Sequence, residues 1–567
     1  MKVTNSLFSA VLLTFLTLHL SAQKYPPVKL NVDEPEKLDD YIQHYMAEAG
    51  VPGLGLAIVS GDELVYYKGY GVRSMDTREK VDDNTIFAAA SLSKPLFAYG
   101  VLKLMEAGKI DLDKPLFQYL EYEDLKHDDR YKKITARMVM SHSSGLPNWR
   151  RGQLDFSNDP GTQFGYSGEG FVYLMRVVEK ITGQNMQDFM QETVLQPLGM
   201  TRSSYVWKPD FEANVAIPHD DLGHTYSPSR YDAANSAYSL LTTAVDYSIF
   251  IRAILHAKGL KPQTIQAMLK HEISVTKEGD EEHGGLFWGL GLGLQETSDG
   301  PAFWHWGDNG MFKCFVIAYP GQKVGMVYFT NSASGLGIAK EIVQGVLGGN
   351  YPSIRWLDYS GPELPAFKLL RALAKEDFKV AIRPYLAKNG LHQDTALLNE
   401  RTTNRMGYNL LTLGKIEAAQ EILRMNMLAY PESANVYDSY GEALLRNGQL
   451  KEAAEYYGKA AKMDPNNEAA KTIAYQLTEG NKKGNKTFIL GAYPNAKQVS
   501  LVGSFNGWNR LTYPMVWENG QWIARLDLEP GKYTYQFVVD GVSILDPKNE
   551  ETEYEGGRHR SVMEVKE

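Results

Sequence analysis

The chain has 567 residues, more than one hydrophobic core usually serves, so two to four domains are expected. A net charge of −9 without a basic stripe argues against nucleic acid and anionic lipid as partners. The single cysteine, Cys314, excludes an internal disulfide framework. The histidines show neither metal-ligand clustering nor a His-Glu-x-x-His pair, so no metal or cofactor is expected.

At the N-terminus, Lys2 precedes a mostly apolar run from Leu7 to Leu20, which ends in Leu20-Ser21-Ala22-Gln23. This is the pattern of a signal peptide over residues 1–22 rather than a membrane span. It implies export to a bacterial periplasm or exterior without stable membrane insertion, and no cysteine follows the cleavage site to carry a lipid. The run Val51-Pro52-Gly53-Leu54-Gly55-Leu56-Ala57-Ile58-Val59 then reads as a buried strand.

Ser91-Leu92-Ser93-Lys94 is the first motif that carries chemistry. A serine hydroxyl is a poor nucleophile at its free pKa and needs a base beside it. Residues three apart on a helix share a face, which would bring Lys94 to Ser91. The flanking residues, Ala89 to Leu96 and on to Ala107-Gly108, predict an apolar helix closed by a glycine. Ser91 would start that helix, where free backbone N–H groups can face a developing oxyanion. A lone Ser-x-x-Lys is weak, since about two matches arise by chance in a chain this long. Its context is stronger. Ser141-His142-Ser143-Ser144-Gly145-Leu146-Pro147 and Tyr166-Ser167-Gly168 follow in order. Trp304-His305-Trp306-Gly307-Asp308-Asn309-Gly310 comes next and reads as a strand entering a turn. Cys314 lies outside these motifs, in the apolar run from Met311 to Ile317, and reads as a small packed hydrophobe.

This order resembles the serine β-lactamase and penicillin-binding-protein superfamily, in particular its class C-like branch, which includes esterases and D-amino-acid peptidases. The resemblance covers about residues 30 to 355, within a domain placed at 28–358. It implies an α/β fold, an antiparallel sheet flanked by helices, and an acyl-enzyme mechanism. Ser91 would be the nucleophile, Lys94 the general base and Tyr166 a proton-transfer group with Lys94 as its neighbouring cation. The backbone N–H groups of Ser91 and Asp308 would form the oxyanion hole, and His305 would act electrostatically on the substrate. Ser167, Gly168, Trp306 and Gly307 would contact the substrate.

Two departures from the family pattern bear on the chemistry. Gly168 stands where many relatives have an asparagine, which leaves Ser167 or Glu169 to compensate. His305 stands where many have a lysine. An unperturbed imidazole is mostly neutral at pH 7, so the preference shifts from penicillins and acyl-D-Ala-D-Ala toward esters, amides or D-amino peptides. Protonation by Asp308 would reverse that shift. The expected function is a secreted serine hydrolase acting on a small ester, a D-amino-acid peptide or a cell-wall fragment. A catalytically weakened fold serving as a glycan- or protein-binding scaffold stays open, as does a true β-lactamase or D-Ala-D-Ala carboxypeptidase.

Beyond Trp356 to Pro362, a helical region is expected over 363–479. Gly407, Gly414, Ala419 and Pro431 recur 34 residues later as Gly441, Gly448, Ala453 and Pro465. That period resembles tetratricopeptide repeats, whose small residues let antiparallel helices approach, and it admits a protein partner or a spacer role. Residues 480–486 are polar and glycine-bearing and read as a linker. In 487–567 the period becomes two: Trp522, Ala524, Leu526 and Leu528 alternate, as do Tyr533, Tyr535, Phe537 and Val539, with Asn519-Gly520 as a hairpin turn. Leu501 to Asn509, Tyr535 to Gly541 and Leu545-Asp546-Pro547 resemble the family 48 carbohydrate-binding modules, related to the glycogen-binding domain of AMP-activated kinase. The resemblance implies an immunoglobulin-like sandwich and a glycan ligand. Trp508 is the one sugar-stacking position retained, since Ser543 and Gln536 replace the family's second tryptophan and its lysine.

Overall fold

The structure is a computed structural model describing residues 28–150, 152–220, 223–276, 280, 284–359, 361, 365–386, 399–555 and 558–566. The expected signal peptide lies outside the described residues. Strands β1 (Gly53–Ser60) and β2 (Glu63–Gly71) form a hairpin. Six more strands run as an antiparallel meander: β3 (Ile273–Ser274), β4 (Leu286–Trp288), β5 (Gly293–Thr297), β6 (Gly300–Asp308), β7 (Lys313–Tyr319) and β8 (Val324–Thr330). Because β8 pairs with β1, the sheet order is β2-β1-β8-β7-β6-β5-β4-β3.

Both faces of this sheet are covered, which explains the unbroken apolar text of its central strands. In β7, Cys314, Val316 and Ala318 enter one core, while Phe315, Ile317 and Tyr319 enter the other. Helices α1 (Pro35–Ala49) and α5 (Ala339–Leu347) close the second core through Leu38, Ile42, Met46, Ile342 and Val346. The first core holds α2 (Ser93–Glu106), α3 (Gly168–Thr182) and α4 (Ala244–Leu255). Helix α2 is buried on almost every side, and the glycine expected to close it, Gly108, adopts φ +67.

Next come α6 (Pro365–Lys375), α7 (Phe378–Leu386), α8 (Glu400–Thr412), α9 (Ile416–Ala429), α10 (Ala434–Arg446), α11 (Leu450–Met463) and α12 (Glu468–Thr478). The 34-residue period has a direct packing cause. A Cβ on Gly407 in α8 would collide with Leu423 of α9, and one on Gly441 in α10 would lie 3.2 Å from Tyr457 of α11. Gly414 and Gly448 end the first helix of each pair at φ +70 and +76, a conformation that glycine adopts without a Cβ clash.

The C-terminal part is all-β. One sheet pairs β9 (Lys486–Leu490), β12 (Gln521–Leu526) and β11 (Val516–Glu518). The other runs β10 (Val499–Gly503), β13 (Gly531–Val539), β16 (Arg558–Val565) and β15 (Thr552–Glu555), with β14 (Val542–Ile544) on β13. The alternating residues Trp522, Ala524, Leu526, Tyr535 and Phe537 meet in its core. Asn519 and Gly520 take φ 51 and 82, the turn type that matches strand twist. The stretch expected as a linker, 480–486, packs against the sandwich. It forms a short 3-10 turn over Gly480–Lys482, Gly484 abuts the Leu526 backbone and Asn485 Nδ2 donates to Leu528 O at 2.8 Å. Asn485 bonds to Leu528, far along the chain, which composition alone does not reveal.

Candidate active site

Ser91 lies in a 3-10 turn, Ala90–Leu92, that runs directly into α2. Ala90 adopts φ 47, an uncommon conformation for a residue with a Cβ, so the chain is bent where the nucleophile candidate is presented. One turn on, Lys94 Nζ donates to Ser91 Oγ at 3.1 Å and to Ala237 O at 2.8 Å. The lysine side chain is 0% exposed and has no carboxylate partner among the described residues. Burial pulls its pKa down to about 7. An amine in that state is a competent base near neutrality.

Tyr166 stands beside both Ser91 and Lys94, with Lys94 Nζ 4.8 Å from the centre of its phenol ring. Its hydroxyl is buried without a hydrogen bond of normal geometry, although Ser91 is its polar neighbour. Burial pushes the phenol pKa up, more than Ser91 lowers it, so Tyr166 keeps its proton at neutral pH. A phenolate is therefore disfavoured. The ring is held by His142, whose own ring lies 4.2 Å away and whose Nδ1 accepts from Ser167 N at 3.0 Å.

Strand β6 delivers the third motif. Gly307 is required by a close approach: a Cβ there would lie 2.5 Å from Ala89 O and would also strike Cys314. The end of β6, at Asp308, is thus brought against the Ser91 turn. Its carboxylate accepts from Lys313 at 2.5 Å and from the Tyr359 hydroxyl at 2.6 Å. Burial would raise the Asp308 pKa, but these partners outweigh it and hold the group ionised below the ordinary range. Cys314 packs as expected, fully buried with Sγ 3.2 Å from Ala89 O.

His305 is neutral. Burial first, then the Lys94 charge, drop its pKa to about 3; Nδ1 contacts Trp306 O at 2.7 Å, and the side chain does not line the cleft. Ser167 likewise faces away from the cleft, capping α3 through Gly170 N at 2.9 Å and donating to Pro147 O at 2.9 Å. Glu169 is held by Arg150, with 2.9 Å between Oε2 and a guanidinium nitrogen. Neither residue replaces the absent asparagine amide. The space beside Gly168 belongs to Trp149 and Asn148: a Cβ would lie 2.6 Å from the Trp149 ring and 2.7 Å from Asn148 O. Trp306 does line the cleft, together with Ser91, Tyr166 and Asp308.

Sequence reading did not single out Asn148, Trp149, Asn235, Tyr238 or Tyr359, which share that lining. They come from three separate segments with no spacing signal between them. Only the Ser141 to Pro147 stretch hinted at His142. Trp508 sits in the sandwich, with the Arg560 guanidinium 3.5 Å from the centre of its ring, and Gln536 is buried with Nε2 donating to His559 O at 3.0 Å.

A family model described as Beta-lactamase matches residues 38–344, more than half of the chain. The chain belongs to the β-lactamase family. A tetratricopeptide-repeat model matches residues 434–467, the better of the two copies, and a model described as the glycogen recognition site of AMP-activated protein kinase matches 488–567. "Protein flp" of Staphylococcus aureus strain NCTC 8325 / PS 47 is 21% identical over 330 residues, 53% of this chain and 64% of its own length. This β-lactamase family chain therefore spans just under two thirds of that curated relative. "Penicillin-binding protein 4*" of Bacillus subtilis strain 168 is 22% identical over 62% of this chain and 82% of its own length. Among solved structures, an octameric penicillin-binding protein homologue from Pyrococcus abyssi aligns with TM-score 0.49 and 24% identity over 60% of this chain and 81% of that one. A class C β-lactamase aligns with TM-score 0.48 and 21% identity over 57% of this chain and 100% of that one. Among the described residues, no helix is long and apolar enough to cross a membrane.

Proposed function

We propose that this chain is an exported serine hydrolase that works through an acyl-enzyme on Ser91. The observation that carries the reading is the buried Lys94 amine, 3.1 Å from Ser91 Oγ, with a pKa of about 7. A buried lysine without a counter-charge is costly to a fold and useful to a nucleophile. Lys94 takes the Ser91 proton as Ser91 Oγ attacks a carbonyl carbon. The N–H groups of Ser91 and Asp308 receive the oxyanion, a contribution of about 3 kcal/mol per donor in comparable sites. Tyr166, protonated and adjacent to Ser91 and Lys94, relays the proton held on Lys94 to the leaving group and ends protonated itself, and water then cleaves the Ser91 ester and releases the acid.

His305 is neutral and set back from the cleft, and no cation is among the described residues lining it, which supports small neutral esters, amides or D-peptides over penicillins. The basic, apolar and small-residue pattern of residues 1–22 supports export.

The test is intact mass after a fluorophosphonate or a penicillin, beside Ser91→Ala. A phosphonate adduct lost in that variant is expected. A persistent penicilloyl adduct would point to a penicillin-binding protein, and no adduct in a folded sample would leave a scaffold. For a neutral ester, kcat/KM should rise through about pH 7 as Lys94 loses its proton and then level off. A flat profile from pH 5 to 9 would remove Lys94 as the base.

A further inference from the structure

The cleft above Ser91, about 640 Å³, is walled largely by aromatic rings with a few polar groups between them. Five aromatic side chains line it: Trp149, Tyr166, Tyr238, Trp306 and Tyr359. Trp149 is 45% exposed and meets Tyr238 edge-to-face at 5.6 Å, so part of its indole surface is open to a ligand. Between the rings stand three asparagines, each fixed by one end of its amide. Asn148 Oδ1 accepts from Gly168 N at 3.1 Å, and Asn235 Oδ1 accepts from Ala237 N at 2.9 Å. Asn309 Nδ2 donates to the Tyr231 hydroxyl at 3.1 Å. The other ends, two NH₂ groups and one carbonyl, have no hydrogen-bond partner among the described residues.

Charge is nearly absent. No lysine, arginine or histidine is among the described residues lining the cleft, and its one carboxylate, Asp308, is already matched by Lys313. An anionic substrate finds no partner here. A plain hydrocarbon alcohol would cover the rings but leave the oriented amides without partners. A neutral ring that carries hydroxyl groups satisfies both features, its C–H face against an indole and its hydroxyls on the amides.

The sandwich lies beside this wall. A Cβ on Gly507, next to Trp508, would lie 4.0 Å from Gly152 Cα, in the segment that carries Asn148 and Trp149. The part of the chain matching a glycogen-recognition model thus abuts the cleft loop.

We infer that the leaving group held in this cleft is a sugar, and that the substrates are carboxylic esters of neutral saccharides. The inference rests on the Ser91 acyl-enzyme reading above. Ser91 Oγ forms a bond to the ester carbonyl carbon, and the bond from that carbon to the sugar oxygen breaks. The sugar leaves with the proton that Ser91 gave to Lys94. Water then cleaves the Ser91 ester, returning a proton to Ser91 and releasing the carboxylic acid.

The experiment uses the full chain, with fluorophosphonate labelling confirming a reactive Ser91 in the same sample. Hydrolysis of a mono-O-acetyl methyl glucoside is compared with cyclohexyl acetate and with N-acetyl-D-Ala-D-Ala. The glucoside ester should exceed cyclohexyl acetate in kcat/KM by about tenfold or more, chiefly through KM. Trp149→Ala should shrink that ratio, read within one sample so that a general folding defect cancels. Labelled enzyme that shows no preference for the glucoside ester, or that prefers the D-peptide, overturns the inference while leaving the acyl-enzyme intact. If Ser91 fails to label, the binding claim is still decided by titrating Ser91→Ala with methyl glucoside and with succinate and following tryptophan fluorescence. Saturation by the sugar alone supports sugar recognition, and a silent titration or one driven by succinate overturns it.

Discussion

Gly168 illustrates how a single missing side chain is misread without its neighbours. From sequence it is a lost amide; in the fold it is the floor on which the Trp149 ring rests, with Asn148 O on the same side. Restoring the family's asparagine should therefore damage the site. Gly168→Asn should lower stability by about 1–3 kcal/mol through overpacking, measured by denaturant melts. Adding Trp149→Ala should recover only part of the loss, because the Asn148 carbonyl still opposes the new Cβ at 2.7 Å. Additive single losses in that cycle would mean that the ring and the glycine are not coupled. Lys94 is the opposite case, legible at once. Three residues of helical spacing brought it to Ser91 as expected, but only burial decided that its proton is labile near pH 7.

Among the elements, the helical repeats separate two forces that act on one residue type. Glycine inside a helix costs about 1 kcal/mol relative to alanine, so Gly→Ala at an exposed position stabilises. At Gly407 the added methyl would drive into Leu423, a fully buried side chain whose Cγ cannot move aside, and overpacking wins. Gly407→Ala should lower the midpoint of thermal unfolding. At Gly441 the nearest atoms belong to the Tyr457 ring at 3.2 Å, tight but close to contact distance, so Gly441→Ala should be nearly neutral. Equal effects at both positions would refute this packing account. The period of 34 was readable because two helices and their turns repeat. The sandwich was readable because its strands alternate and Asn519-Gly520 fixes a hairpin register. The docking of residues 480–486 was not, since hydrogen-bonding partners such as Leu528 lie some forty residues away.

At the scale of the whole molecule, the segment after the sheet domain reaches back into the cleft that Ser91 lines. The Tyr359 hydroxyl holds Asp308 at 2.6 Å, and Arg405 of α8 donates to Asp358 O at 2.8 Å, tying the helical region to the strand end beside Ser91. A second cavity of about 370 Å³ shares Asp308 and Tyr359 with the cleft and is lined also by Arg405 and Asn409 of α8. Tyr359→Phe keeps the ring and removes one hydrogen bond to a charged group, worth about 1.5–3 kcal/mol. Steady-state kinetics should show kcat falling by about three- to tenfold, with KM less affected, if Asp308 N–H is an oxyanion donor. An unchanged kcat would separate Tyr359 from the chemistry. The helical region also meets the sandwich through Lys497 and Glu417 at 2.9 Å and through Gln476 and Arg525 O at 3.1 Å. By itself the sequence determined the three kinds of domain, the pairing of Ser91 with Lys94 and the strand that carries His305 to Asp308, because each is written in local periodicity or fixed spacing. The tertiary structure alone decided that His305 is buried and neutral, that Trp149 fills the place beside Gly168, and that Tyr359 and the asparagines complete the cleft. Those outcomes depend on contacts between distant segments and on exclusion of water, which no local pattern records.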